Sequence, residues 1–481
     1  MAKESSEGLT TKKSENISEW FEQVCLKAEL ADFSKVKGTM VIRPRGYHVW
    51  QSIQDYFNKN IVDKSGAENA YFPLFIPESF FHKEAEHAEG FSPEVAWIDK
   101  ELTGDGERLA IRPTSETIMY DSYANWVRSY NDLPLRINQW CNVVRWETEA
   151  TKLLLRSREF LWQEGHCVYE TEEECETETL MYINMYQKLT KDLLALPVVV
   201  GRKSVKEKFA GAKNTYTIEA FMPDSKALQC GTSHNLGQGF AKAFGISYIG
   251  KDEKKHFPWQ NSWGLSTRLI GATVMSHSDD SGLVMPPKVC KNKAVVIPLL
   301  FKGKEEPVLA EANELMKELS SFNPILDDRA DTKPGYKYNE WEMKGIPLRI
   351  EIGPRDLENK SVIVVKRNTK EKLTIKIKDL KKEIPRILEQ MHVELYDKAK
   401  EFLDSNIQEV ETWDEFKSAI KDNKIVSCAW CGETSCEEKI KDELGGVTTR
   451  CTPLDAKVPR GKKCPHCDKD AKVEMYFSRS Y

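Results

Sequence analysis

The sequence predicts a globular protein of mixed helix and strand, built as about three units, and three observations carry that reading. The chain has 481 residues, 40% hydrophobic and 30% charged, a balance that supports real cores and, at roughly 150 residues per unit, three of them. Short apolar strands alternate with amphipathic helices along most of its length. Six of the twelve cysteines crowd into residues 428–467, so the last unit is built differently from the rest.

The opening MAKESSEGLTTKKSENISEW is polar and lacks the apolar core of a signal peptide. No run approaches the ~18 apolar residues of a membrane helix. A reducing, cytoplasmic compartment is therefore expected, in which clustered cysteines read as metal ligands before disulfides. The net charge of −5 leaves any nucleic-acid contact to local patches.

Residues 46–63 place Tyr47, Trp50, Ile53, Phe57 and Ile61 on one helical face. In the apolar AYFPLFIP that follows, Pro73 predicts an edge or a bend. RPTSET, from Arg112, reads as a turn in which Thr114 or Ser115 caps a helix. Residues 137–147 form a predicted strand with Arg145 and Glu147 on one face. TEEECETETL opens a helix, its acidic first turn suiting the dipole, with Ile183, Tyr186, Leu189 and Leu193 as its stripe. QCGTSHNLGQGFAKAF gives two glycine-flanked polar turns before a helix, and NSWGLSTRLIGATVMSH reads as strand. MPPKVCKN, near 285–292, reads as a linker. Beyond it AVVIPLL, a helix at 309–320, PLRIEIG and KSVIVVKR predict a separate α/β unit to about residue 395.

Five constellations carry chemistry. NVVRWETEATKLLLRSREFLWQEGH, residues 142–166, sets Arg145 on a strand and returns to Arg156 and Arg158. Forked guanidinium donors suit a polyphosphate, although a salt-bridged hairpin fits equally well. TSET, together with Gln229, Thr232 and His234, could receive an ammonium group, against the simpler reading of a helix cap. Arg268 lies on an apolar segment, where leaving it unpaired would cost several kcal/mol. The cysteine pairs Cys428/Cys431 and Cys464/Cys467, about 30 residues apart, match a four-cysteine zinc site by spacing. Finally, residues 366–382 hold eight Lys or Arg against two acids, with Lys376 and Lys378 on one strand face, a phosphate-contact surface or merely a solvated one.

Taken jointly, these segments resemble a class II aminoacyl-tRNA synthetase. The helix entering AYFPLFIP looks like that class's first motif, with Pro73 near a dimer interface. VVRWE…REFLWQEGH looks like the second, and GLSTRLIG holds the place of the third. RPTSET, VVRWE, REFLWQEGH, GTSHNLGQ and QNSWGL are closely similar to prolyl-tRNA synthetases of the archaeal and eukaryotic type. The likeness runs through nearly the whole chain to the terminal YFSRSY.

The resemblance implies an α+β fold: an antiparallel-sheet catalytic core over 1–286, an α/β anticodon-binding domain over 291–395, and a zinc-binding-type domain over 400–481. It implies attachment of L-proline to tRNA(Pro) through prolyl-adenylate, with ATP, Mg²⁺ and a structural Zn²⁺, by a cytoplasmic homodimer. Thr114 and Glu116 would hold the proline ammonium, with Trp162, Glu164, His166, Phe209 and His234 around it. Arg145 would bridge the proline carboxylate and the α-phosphate. Glu147, Arg156, Ser157, Gln229, Thr232, Ser266 and Arg268 would surround ATP, Arg145 and Arg268 being the catalytic pair. For zinc the family pattern selects Cys431, Cys436, Cys464 and Cys467, in place of Cys428. Glu340, Arg349 and Lys366 are the implied anticodon contacts.

Two features depart from the wider class. The third motif lacks the glutamate that often precedes its arginine. Only about 65 residues separate Glu164 from Gln229, leaving no room for a large editing insertion, so alanine or cysteine is expected as a side substrate. A threonine-specific relative would need a metal at the amino acid, for which no Cys/His set fits. A catalytically inactive paralogue acting as a tRNA-binding module is the alternative of another class; the presence of Arg145, Arg156 and Arg268 speaks against it.

Overall fold

A computed structural model describes residues 8–85, 95–104, 106–146 and 151–481. Its centre is an eight-stranded sheet, in the order Thr452–Pro453, Val199–Arg202, Asn214–Phe221, Ala227–Gly237, Trp259–Ser266, Glu159–Tyr169, Leu135–Val144 and Glu68–Asn69. Every pairing is antiparallel except the last, where Glu68–Asn69 runs parallel to its neighbour. The helix Glu172–Leu194 crosses one face, started by a capping box of Thr171 and Glu174. Its Tyr182 stacks on Trp263 at 3.9 Å, and the Tyr186 hydroxyl donates to Gln163 at 2.7 Å. Gly165 lies beneath that tryptophan, where a Cβ would come within 2.1 Å of the indole.

Two smaller sheets follow. The second unit holds five strands in the order Ile325–Leu326, Ala294–Pro298, Leu348–Ile352, Ser361–Lys366 and Lys372–Lys376, with its parallel pairs at one end. The third holds four, Ile407–Glu409, Ile425–Trp430, Val473–Ser478 and Thr448–Thr449. The 29-residue helix Ile377–Ser405, carrying Pro385 inside it, connects these two units.

The three units are bonded to one another. Arg367 makes a forked ion pair with Asp279 at 2.9 and 2.7 Å. Lys203 and Arg450 close on the buried Glu219 from two sides, at 2.7 and 2.8 Å. Thr452–Pro453 joins the central sheet beside Val199–Arg202, approaching so closely that a Cβ on Gly201 would sit 2.4 Å from the Thr452 carbonyl. Among the described residues no helix is long and apolar enough to cross a membrane.

Several predicted elements need correction. GTSHNLG is not a pair of turns: it lies in the strand Ala227–Gly237, and the helix begins at Gly239. Arg268 is not on a strand but begins the helix Arg268–His277, just after Trp259–Ser266. Within AYFPLFIP only Phe75–Pro77 is strand. The basic strand stops at Lys376, so Lys378 belongs to the long helix and does not share its strand face.

Candidate active site

The antiparallel register aligns one face of the central sheet. Glu164 lies opposite Gly264 and Gln139, His166 opposite Ser262 and Ile137, and Trp162 opposite Ser266 and Cys141. The next strand continues the face with Thr232, beside Gly264, and His234, beside Ser262. Gln229 is three residues from Thr232, and strict alternation would send it to the other side. The register slips at Cys230, where Gln229 pairs with Glu219 and Gly231 with Ile218. This bulge returns Gln229 to the face of Thr232 and His234.

At one end of that face is a buried acidic socket. Ser115 donates its hydroxyl to Glu164, Gln139 donates to the same carboxylate at 2.9 Å, and His166 Nε2 meets it at 3.1 Å. Tyr120 and His166 Nδ1 are 3.1 Å apart. Burial pushes the Glu164 carboxyl upward, but the His166 ion pair and the Ser115 and Gln139 donors outweigh it and hold it below the ordinary range. His166 shows the mirror effect: burial lowers it, while Glu164 and the nearby Glu116 raise it above the usual histidine value. Glu116 accepts the Thr114 hydroxyl, and oxygens of Glu116 and Glu164 and a ring nitrogen of His166 fall within 4.8 Å of one another. Two carboxyl groups and one imidazole at this spacing suit a cationic guest.

The socket's wall is aromatic. His234 packs on Phe209 with ring centres 4.8 Å apart and meets Thr215 Oγ1 at 3.0 Å. Burial and the neighbouring His166 charge depress it to about 3, so it is neutral. Trp162 donates its indole N–H to Cys141 at 3.2 Å.

The opposite end of the face is cationic. Arg145 continues the strand ladder by donating its backbone N–H to the Arg158 carbonyl at 2.8 Å, and its Nε donates to the Pro113 carbonyl at 3.1 Å. The guanidinium lies over Phe160 and Trp162, 5.6 and 5.5 Å from their centres. Arg268 donates Nε to the Leu155 carbonyl at 3.0 Å and Nη1 to the Gln229 carbonyl at 3.2 Å, tying the second-motif loop to the third-motif helix. Arg145, Arg156 and Arg268 line one pocket with Ser157, Ser266 and Thr267. Three converging guanidinium groups favour a polyanion. Glu147 lies outside the described residues.

Sequence reasoning missed Ser115, Tyr120, Gln139 and Cys141. Ser115 stood inside the quoted TSET, Tyr120 is four residues past Glu116 on the same helix, and Gln139 and Cys141 alternate along the strand opposite Glu164 and Trp162.

In the last unit, sulfurs of Cys431, Cys436, Cys464 and Cys467 lie within 4.8 Å of one another, a donor set that fits tetrahedral zinc. Cys428, which the two-knuckle spacing alone would include, is not part of that group. In the second unit the implied anticodon contacts are engaged internally. Glu340 accepts from Arg329 at 2.7 Å and Lys344 at 3.1 Å. Arg349 pairs with Glu351 and Glu342 and lies 4.0 Å over Tyr338. Lys366 is 1% exposed and held by Glu394 and Glu371. Arg349 and Lys366 are buried in these ion pairs, Arg349 with partners near it in sequence and Lys366 with one, Glu394, from 28 residues further on.

Comparison with known proteins accords with this geometry. The family described as tRNA synthetase class II core domain (G, H, P, S and T) matches residues 98–277, the anticodon binding domain matches 293–387, and prolyl-tRNA synthetase, C-terminal, matches 413–481. Proline--tRNA ligase 2 of Bacillus thuringiensis subsp. konkukian is 46% identical over 486 residues, covering 100% of both chains. The chain belongs to the prolyl-tRNA synthetase family. Another relative in the prolyl-tRNA synthetase family, proline--tRNA ligase of Alkaliphilus oremlandii, is 48% identical over 97% of this chain and 96% of its own. Prolyl-tRNA synthetase from Cryptosporidium parvum, solved with halofuginone and AMPPNP, superposes with a TM-score of 0.95 at 42% identity, covering 99% of this chain and all of the other. Its complex with L-proline and AMP gives 0.94 at 41% identity, covering 99% and 98%.

Proposed function

We propose that this chain activates L-proline with ATP and transfers it to tRNA(Pro), using the acidic socket for the amino group and the three-arginine pocket for the phosphates. The observation that carries the reading is the position of Arg145 between the two sites, over Trp162 on one side and lining the anion pocket on the other. Thr114 and Glu116 receive the secondary ammonium, whose charge replaces the cation the socket lacks. Trp162, Phe209 and His234 enclose the ring, and the Glu164–His166 pair orders the floor. The proline carboxylate then attacks the α-phosphorus while Arg145 stabilises the charge growing on both groups. Arg156, Ser157, Gln229, Thr232, Ser266 and Arg268 hold the nucleotide, and pyrophosphate leaves. Mg²⁺, arriving with ATP, shares the phosphate charge. No side chain acts as a nucleophile; the rate comes from positioning and preorganised charge. The terminal ribose of tRNA then takes the prolyl group.

The functional limits we assign to the catalytic, anticodon-binding and zinc-type domains are 1–286, 291–395 and 400–481. Zn²⁺ at Cys431, Cys436, Cys464 and Cys467 is structural. Glu340, Arg349 and Lys366 are assigned to the anticodon, as base or backbone contacts. The enzyme works as a cytoplasmic homodimer, a reading supported by the exposed apolar side chains Phe33, Val36, Val41, Tyr71 and Phe75 around the first motif.

Proline-dependent ATP–pyrophosphate exchange tests the assignment, and folded protein without exchange would overturn it in favour of a tRNA-binding module. A pocket that selects by shape separates amino acids one methylene apart by only roughly 10- to 200-fold. Alanine or cysteine should therefore support slow exchange at high concentration; a complete lack of signal with both would refute that side activity.

A further inference from the structure

We infer that the N-terminal hairpin, Ala31–Phe33 paired with Met40–Ile42, is a brace that sets the nucleotide loop and thereby the affinity for ATP. The inference rests on assigning that loop to ATP. Residues 152–156 form a tight turn, closed by backbone bonds between Lys152 and Arg156 at 2.7 and 2.9 Å. At its centre Leu154 has φ of +58°, a left-handed conformation that a bulky side chain adopts only when its surroundings impose it. The hairpin supplies part of that constraint.

Three contacts join hairpin and loop. The Leu154 N–H points at Met40 Sδ, 3.4 Å away. The Arg158 N–H donates to the Gly38 carbonyl at 2.8 Å, and its Nη1 donates to the Lys37 carbonyl at 3.0 Å. The Arg158 guanidinium is also stacked over Trp146 at 4.5 Å. Gly38 is required at the tip: its φ is +85°, and a Cβ there would meet the Arg158 stem at 2.9 Å and Thr151 at 3.1 Å. The hairpin's base is anchored, with Leu30 and Ala31 in the main core alongside Leu153, Leu154 and Leu155. A fixed base and a bonded tip thus clamp the strained turn from outside, while Arg268 holds it from inside through the Leu155 carbonyl.

Met40 and Arg158 are therefore positioning residues: neither lines the anion pocket, yet both hold the segment that presents Arg156 and Ser157. In pyrophosphate exchange, Met40→Ala and Arg158→Ala should each raise KM for ATP about tenfold and leave KM for proline within about twofold, because only the nucleotide side is displaced. Arg158→Lys, whose ammonium can still reach the Lys37 carbonyl, should recover most of the loss. Amide hydrogen exchange gives a second readout independent of activity, with faster exchange expected at Leu154 and Arg158 in both alanine variants. Equal rises in both KM values, or unchanged KM for ATP with unchanged exchange at those amides, would overturn the brace. A wild-type protein inactive with proline would instead defeat the functional assignment, and amide exchange would still decide whether the hairpin holds the loop.

Discussion

The proposed reaction depends above all on Arg145. Its strand ladder fixes the backbone, the Pro113 carbonyl fixes Nε, and two aromatic rings support the planar group. Such preorganised charge is worth about 10²–10³ in turnover when a single donor is removed. Arg145→Ala should accordingly lower the exchange rate by at least about 100-fold while proline-induced thermal stabilisation persists through Thr114 and Glu116. Near-normal exchange would place the reacting groups elsewhere. At this scale the sequence was informative where alternation held: Trp162, Glu164 and His166 fall on one face by spacing alone. Gln229 was singled out beside Thr232 and His234, but not the Cys230 bulge that puts it on their face, which depends on the pairing with Ile218 and Glu219. The burial of Lys366 was illegible for a related reason, since its partner Glu394 lies 28 residues further on.

Among the elements, the strand-to-helix junction at Ser266–Arg268 and the cysteine cluster show two things that spacing leaves undecided. A run of apolar residues does not tell a buried strand from a buried helix, and GLSTRLIG contains the end of one and the start of the other. For the cysteines, two C-x-x-C pairs suggested Cys428, but that residue lies within the strand Ile425–Trp430, while Cys436 sits on the following helix and turns toward Cys464, 3.9 Å away. Metal analysis of single Cys→Ser variants should show zinc lost at 431, 436, 464 and 467 and retained at 428. Loss at 428 with retention at 436 would reverse the ligand set. The same variants should melt earlier, since ligand binding energy at such a site is folding energy.

Across the whole molecule, the units are held by charge as well as by sheet pairing. Burial alone would raise the Glu219 carboxyl, yet Arg450 and Lys203 dominate and hold it down at about 2, against an ordinary value of 4.5. A carboxylate depressed in the folded state stabilises that state above its unfolded pKa, and the contribution fades as pH falls toward the folded one. The melting temperature should therefore drop steeply from about pH 4.5 to about pH 2. Glu219→Gln should melt earlier at neutral pH, because Lys203 and Arg450 lose their buried counter-charge, and its decline over the acid window should be shallower. Parallel curves for the two proteins would show that this cluster does not govern acid stability. None of it was legible in the sequence, where Lys203, Glu219 and Arg450 stand far apart without any shared pattern.

The short strand Thr452–Pro453 also has a consequence for how the protein is made. It covers the outer edge of Val199–Arg202, but 250 residues of chain separate Pro453 from Arg202's neighbour Lys203. At roughly 5–20 residues per second on the ribosome, that edge waits for a time of the order of tens of seconds. Throughout the wait the nascent catalytic sheet carries an open row of hydrogen-bonding groups, the feature by which one polypeptide adheres to another. Ribosomes halted anywhere in that interval would release chains with a nearly finished catalytic sheet and a sticky margin, so messages cut short there should yield aggregates rather than a smaller working enzyme.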